Sequence, residues 1–405
     1  MIEENGEPAG SEPDPRQLGR GQSAAPAVIE LERIDRFLAE HRPPTPCIVI
    51  DLDIVRARYR ALQALFPKAT IFYAVKANPG VEVIAALAEL GASFDLASEG
   101  EIRRCHELGI PPGRLSFGNT IKREAEVAHA YAEGVGLFAF DSIAELEKIS
   151  QSAPGSGVYC RLLVAGKGAE WPLSRKFGCV PEMAIALLRR ARTLGMRPLG
   201  VSFHVGSQQT EPRRWSAGIA SAARVFQACA RAGLDLELIN VGGGFPAQYR
   251  TPVPSLAAYA AAIDAALGEH FGAAMPRLLV EPGRYLVGDA GILRSEVLLV
   301  SRKSHRARRR WVYLDAGRYN GLPETAGERI HYRIRTPHEG GPCERAILAG
   351  PTCDSMDVIY RRADYRLPLE LAIGDALDFL SAGAYTASYA SVEFNGFAPI
   401  RTYCI

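Results

Sequence analysis

The run Ile71-Phe72-Tyr73-Ala74-Val75-Lys76-Ala77-Asn78-Pro79 leads apolar and aromatic residues of strand type into a lysine, and an Asn-Pro turn follows at once. A lysine at the last position of a buried strand costs several kcal/mol in desolvation unless it is neutralised or used chemically. One use is as an amine held as a Schiff base on a carbonyl cofactor. The plain alternative is a lysine whose ammonium simply reaches water past the strand end. Three further stretches bear on the choice. Gly242-Gly243-Gly244 follows the strand-like Leu238-Ile239-Asn240-Val241, and glycines there let backbone amides approach a phosphate, although tight turns elsewhere look the same. Glu281-Pro282-Gly283-Arg284 offers a carboxylate for a protonated pyridine nitrogen and a guanidinium for a phosphate oxygen; a salt-bridged rim would read alike. His204, in Ser202-Phe203-His204-Val205-Gly206-Ser207, could stack on a cofactor ring while Ser207 donates to phosphate, or be a hydrogen-bonded core histidine.

These residues need a frame. Strand-like segments recur at Ile71–Val75, Ser93–Ala97, Leu115–Gly118, Leu137–Phe140, Val158–Val164, Leu199–His204, Leu236–Val241 and Arg277–Glu281, with helical patterns between them. Eight such units predict an α/β fold, a (β/α)₈ TIM barrel, whose chemistry gathers at the C-terminal ends of the strands. Those ends carry Lys76, Asp95, Asn119, Asp141, Arg161, His204, the three glycines and Glu281. After about Gly291 short alternating segments separated by Gly/Pro turns predict a second, β-rich domain. The expected layout is a disordered tail over 1–27, a segment at 28–45 packing with the β domain, the barrel over 46–290, and a β-sandwich or barrel-like domain over 291–405.

Apolar content of 47%, charged content of 23% and a net charge of +2 give no general reason to expect nucleic acid or a membrane surface. The run Arg302–Arg310 is the local exception and reads as a solvated hairpin rather than a polyanion site. Eight scattered cysteines without a CxxC pair or zinc spacing suit free thiols in a reducing cytoplasm, and predict no metal. No GxxxxGK[ST] motif, transmembrane-length run or signal-peptide pattern occurs.

The residues carry a resemblance. The chain from about Pro46 onward resembles the fold-type III pyridoxal-phosphate decarboxylases of the ornithine/lysine/diaminopimelate group, and bacterial ornithine/lysine decarboxylases most of all. The marks are Tyr73–Asn78, Phe94–Ser98, Trp171–Gly178, Ser202–Ser207, Gly242–Pro246, Glu281–Arg284, Gly350–Asp357 and Gly383–Thr386. The resemblance implies an alanine racemase-like fold with pyridoxal 5'-phosphate as cofactor. It makes Lys76 the Schiff-base lysine and Glu281 the partner of the pyridine nitrogen. Ser207, Gly243, Gly244, Gly283, Arg284 and Tyr385 would hold the phosphate side, and His204 would stack on the ring. Asp95 and Arg161 would orient Lys76 and the cofactor's hydroxyl side. Cys353 and Asp354 would act in the neighbouring subunit's site of a homodimer, Cys353 as proton donor and Asp354, with Tyr319, on the substrate's distal amine.

Glutamate rather than arginine at position 281 argues against an alanine racemase, and Cys353-Asp354-Ser355 departs from the Cys-Glu-Ser of diaminopimelate decarboxylases. A non-catalytic, antizyme-inhibitor-like protein tends to lose cofactor contacts, and this chain keeps them. Glu328, or else Glu324, is expected to join Asp354 at the far end of a small basic amino acid. One methylene is worth only about 1–3 kcal/mol in discrimination, so L-ornithine leads, giving putrescine, with L-lysine, giving cadaverine, next. Arginine, diaminopimelate or a D-amino acid remains open, and neither nucleic acid nor membrane is expected as a partner.

Overall fold

The computed structural model describes residues 31–171 and 176–405. The tail expected over 1–27 and the middle of the Trp171–Gly178 motif lie outside the described residues. Eight parallel strands close into a barrel: Ala69–Ala74, Ser93–Leu96, Leu115–Phe117, Leu137–Phe140, Gly157–Arg161, Arg197–Ser202, Leu238–Asn240 and Arg277–Val280. The eighth returns to the first, pairing Val280 with Ile71. Phe72, Ala139, Tyr159, Leu238 and Leu279 fill the barrel interior. The opposite faces of the strands meet the helices, so the strands read as nearly continuous apolar runs. Helix starts are fixed locally: the hydroxyls of Ser98, Ser142 and Ser255 accept from backbone amides three residues on and open Glu99–Glu107, Ile143–Ser152 and Leu256–Phe271.

The expected β-rich second layer is an eight-stranded sheet. Its path runs Arg333–Arg335, Ala376–Leu380, Gly291–Ser301, Arg310–Leu314, Cys343–Ala349, Val358–Pro368. Gly291–Ser301 is the hub, because its first half pairs with Ala376–Leu380 and its second with Arg310–Leu314 across a register shift at Val297/Leu299. Cys47–Ile50, which falls within the span assigned to the barrel, pairs in this sheet. It runs antiparallel to Gly291–Arg294 and parallel to Arg401–Cys404. All four of its residues are buried, and a short apolar strand gives no local sign of which sheet will take it. Helix Glu32–His41 lies on the same layer, with Ile34 and Leu38 against Val49 and Ile292. Asp35 there takes both terminal nitrogens of Arg335.

Candidate active site

The C-terminal rim of the barrel encloses a cup of about 320 Å³ lined by Ala74, Lys76, Asp95, His204, Ser207, Gly244, Glu281, Gly283, Arg284 and Tyr385. All of these but Ala74 are expected site residues. Arg161 and Gly243 stand just behind the lining.

Lys76 is not the last residue of its strand. The strand stops at Ala74, whose amide donates to the Pro282 carbonyl (3.1 Å), and Val75–Ala77 form a 3₁₀ turn. The Tyr73 hydroxyl holds that turn by donating to the Asn78 carbonyl (2.8 Å). The second domain pins it from the other side: Tyr385 N–H donates to Ala77 O (2.8 Å), Ser388 Oγ–H to Lys76 O (3.1 Å), and the Asn78 amide to Gly383 O (2.9 Å). The Lys76 side chain therefore projects from a rigid turn into the open volume of the cup, which is why it counts as exposed at this depth. Enclosure alone lowers its pKa, but Tyr385, Asp95 and Glu281 outweigh that and raise it above the ordinary lysine value.

Glu281 is set by a residue absent from the sequence-based expectation. Asn240, the last residue of the seventh strand and buried, donates its side-chain amide to Glu281 Oε1 (2.5 Å), and its carbonyl oxygen accepts from Gly242 N–H (2.9 Å). One amide thus locks the carboxylate to the glycine turn. The only sequence signal is a polar residue at the end of an otherwise apolar strand. The glycines are sterically required. A Cβ on Gly243 would lie 2.2 Å from the Glu281 carbonyl oxygen, and one on Gly244, at φ +105°, would lie 2.5 Å from the Gly206 carbonyl oxygen.

His204 Nδ1 accepts from Gly206 N–H (3.0 Å), which leaves the proton on Nε2. Burial, then the charges of Arg161 and Lys76, hold its pKa well below the usual histidine value, so the ring is neutral. Burial and then Glu281 push the Asp95 pKa well up, despite Lys76 nearby.

Arg284 behaves differently from expectation. Its guanidinium is bidentate to buried Glu324 (2.6 and 2.6 Å) and donates to the Tyr249 hydroxyl (2.7 Å) and to Ser207 Oγ (3.0 and 3.4 Å). All five donors have partners within the chain, so a direct clamp on phosphate is not what the structure shows. Arg284 acts instead through Ser207: an oxygen that accepts from Arg284 must turn its own hydrogen elsewhere, and Ser207 lines the cup. Glu324 is thereby corrected from a substrate acid to the counter-ion of Arg284.

Glu328 is also corrected. Its carboxylate accepts from the backbone amides of Arg361 (2.9 Å), Arg362 (2.9 Å) and Ala363 (2.7 Å) and holds that strand in place. Burial works against its charged form, but those amides prevail and lower its pKa. A carboxylate so occupied, outside the cup, is not positioned for a substrate amine.

Cys353, Asp354 and Tyr319 gather on the second domain, and none of them lines the cup of its own chain. The exposed Cys353 donates from its amide (3.1 Å) and its thiol (3.4 Å) to Asn395 Oδ1. Asp354 accepts from the Tyr319 hydroxyl (3.0 Å) and from Met356 N–H (2.8 Å). The Tyr319 ring lies on Phe394, centroids 4.6 Å apart. Around them Met356, Tyr389, Val392, Phe394 and Phe397 are exposed.

The cup fits a phosphorylated pyridine aldehyde. Asp95 Oδ1 is buried with no hydrogen-bond partner among the described residues, an expensive state unless another group meets it. The glycine cradle and the Ser207 hydroxyl stand toward one side, and Glu281 can hold a ring nitrogen protonated. A (β/α)₈ barrel with its lysine just beyond the first strand, locked there by a second β domain, defines the class of fold-type III pyridoxal-phosphate enzymes. The family model described as "Pyridoxal-dependent decarboxylase, pyridoxal binding domain" matches residues 52–288. The chain belongs to this family, and its cofactor is pyridoxal phosphate. It is 34% identical over 358 residues to a lysine/ornithine decarboxylase of Selenomonas ruminantium, covering 88% of each chain. It is also 34% identical over 381 residues to antizyme inhibitor 2 of Xenopus laevis, covering 91% of this chain and 82% of that one. The solved lysine/ornithine decarboxylase of Vibrio vulnificus, complexed with cadaverine, superposes with a TM-score of 0.83 at 32% identity, covering 94% of this chain and 99% of that one.

Proposed function

We propose that the chain decarboxylates a basic L-amino acid, L-ornithine foremost and L-lysine next, as a homodimer whose subunits complete each other's sites. The observation that carries this reading is a division of labour: the lining of the cup suits a cofactor's contacts but holds no thiol, while the exposed Cys353 and the half-buried Asp354 stand on a separate, apolar-rimmed surface. Pyridoxal phosphate supplies an electron sink for the pair left on the α-carbon when carbon dioxide departs. Lys76 presents its amine from the pinned turn. Glu281, held by Asn240, would keep a proton on the ring nitrogen, and neutral His204 would add no competing positive charge in the cup. The Cys353 thiol, directed by Asn395, is the acid that returns a proton to the α-carbon. Asp354, with Tyr319 donating to one oxygen, offers its carboxylate to a terminal ammonium.

The kinship with an antizyme inhibitor gives a non-catalytic alternative. Retention of Lys76, His204, Glu281, Cys353 and Asp354 supports the enzyme instead. The free cysteines suit a reducing cytoplasm, and no helix among the described residues is long and apolar enough to cross a membrane. Steady-state kinetics on L-ornithine, L-lysine, L-arginine and meso-diaminopimelate test the assignment. Turnover of the first two is expected; turnover of diaminopimelate alone, or a colourless protein that takes up no cofactor, would overturn it.

A further inference from the structure

The sheet domain carries a concentration of charge that the cup does not use. The hairpin Arg302–Arg310 holds six Lys or Arg residues and no carboxylate. The neighbouring strands Cys343–Ala349 and Val358–Pro368 add Arg345, Arg361, Arg362 and Arg366. Against these ten cations stand Glu344, Asp364 and Glu328, in a chain whose net charge is only +2. The three carboxylates are already engaged. Glu344 pairs with Arg302 and Arg310, Asp364 with Arg345 and Arg366, and Glu328 with the three backbone amides described above. Lys303, Arg306, Arg308, Arg309 and Arg361 form no ion pair among the described residues, and Arg362 meets Glu328 only at 3.8 Å.

Part of this surface is concave. Arg309, Arg345, Arg362, Asp364 and Tyr365 line a cleft of about 320 Å³. Its walls are fixed by the backbone: Arg309 donates to the Arg361 carbonyl (2.7 Å), and Glu328 anchors residues 361–363 from behind. Three guanidiniums around one cleft suit phosphate oxygens, which they can take in bidentate fashion. The adjacent aromatic residues indicate which phosphate compound. Lys303 and Arg361 lie over the Trp311 ring (5.2 and 5.3 Å), and Tyr313 stacks beside it (5.9 Å, 17°). With two cations and the Tyr313 ring already against it, Trp311 is a poor platform for the base stacking on which single-stranded nucleic acid binding relies. A concave lining likewise suits a flexible chain of charges better than a flat bilayer surface.

We propose that this cleft binds a linear polyphosphate through Arg309, Arg345 and Arg362, as a site separate from the cup. The phosphate chain could be inorganic or the tail of a nucleoside triphosphate, and the test separates these sources. Holoenzyme, with its cup already filled, is titrated at low ionic strength with inorganic tripolyphosphate, a nucleoside triphosphate and inorganic phosphate, reading heat and tryptophan fluorescence. Tripolyphosphate is expected to bind one per chain, at least about tenfold tighter than inorganic phosphate, and more weakly as salt is added. Equal affinity for the nucleoside triphosphate assigns recognition to phosphates alone; tighter binding makes the nucleotide the source. Arg309→Glu/Arg362→Glu should weaken binding at least about tenfold, while Arg309→Lys/Arg362→Lys keeps most of it and both retain the visible absorbance of bound cofactor. No binding by wild type, binding that the charge reversal leaves intact, or binding to anionic vesicles without binding to tripolyphosphate would overturn the proposal. The decarboxylase reading stands or falls separately.

Discussion

The cup and the Cys353 surface differ in how their side chains are held. In the cup four of the polar side chains are fixed through one another or the backbone: Asn240 holds Glu281, Arg284 holds Ser207, and the Gly206 amide holds His204. On the Cys353 surface the tethers are few and lie among exposed side chains. Cys353 leans on Asn395 and Asp354 on Tyr319, with exposed Met356, Val392 and Phe394 around them. A preorganised pocket suits a cofactor that stays, since donors and charges need no rearrangement at the moment of reaction. A loosely tethered, apolar-rimmed surface suits a partner that must first dock.

The hardest test of that contrast is Lys76→Ala, which should cost at least about 10³-fold in turnover and remove the visible absorbance of the bound cofactor. Retained turnover would take Lys76 out of its role. Cys353→Ala should keep that absorbance yet slow correct product formation by roughly 10²-fold; unchanged kinetics would leave the thiol without a function. Mixing the two variants sharpens the comparison further. If sites are shared, random pairing gives roughly half mixed dimers, each with one intact site, so activity recovers to about one quarter of wild type. No recovery on mixing, with dimers confirmed by sedimentation, would place both residues in one chain's site. The smallest kinetic effect belongs to Glu328→Gln, which should leave KM for ornithine and lysine unchanged and lower stability by about 1–3 kcal/mol through the unpaired amides. Because the folded state lowers the Glu328 pKa below its ordinary 4.5, its stabilisation is present above about pH 4.5 and lost as pH falls through the depressed value. Thermal melts from pH 6 to about pH 3 should show a shallower acid limb in the variant; a rise in KM instead would return Glu328 to the substrate.

The barrel was legible because its strands are largely apolar and a residue that has no business in a core stands at or just past the end of five of them: Lys76, Asp95, Arg161, His204, Glu281. What failed were inferences about partners. Glu324 and Glu328 have the right chemistry for an ammonium, but sequence spacing does not reveal that Arg284 and the amides of 361–363 already claim them. Cys47–Ile50 is plainly a strand, yet its hydrogen bonds go to residues far along the chain. Val358–Pro368 carries Arg361, Arg362, Asp364 and Arg366 among its eleven residues and declares itself a strand only when Cys343–Ala349 is placed beside it. Asn240 passed unnoticed for the same reason, since its importance lies in Glu281, forty-one residues away.

The pairing of Cys47–Ile50 with Arg401–Cys404 spans about 350 residues, and it orders events during synthesis. The barrel's pairs lie between residues 69 and 280, so it can close while the rest of the chain is still on the ribosome, as domains generally do. The first strand must wait, its edge unpaired, for Gly291–Arg294 and then for residues 401–404. Lys76 waits with it, because the Tyr385 and Ser388 contacts to its turn arrive equally late. A nascent chain can thus own a finished barrel and still lack a fixed Lys76 turn until residues 383–388 have been made.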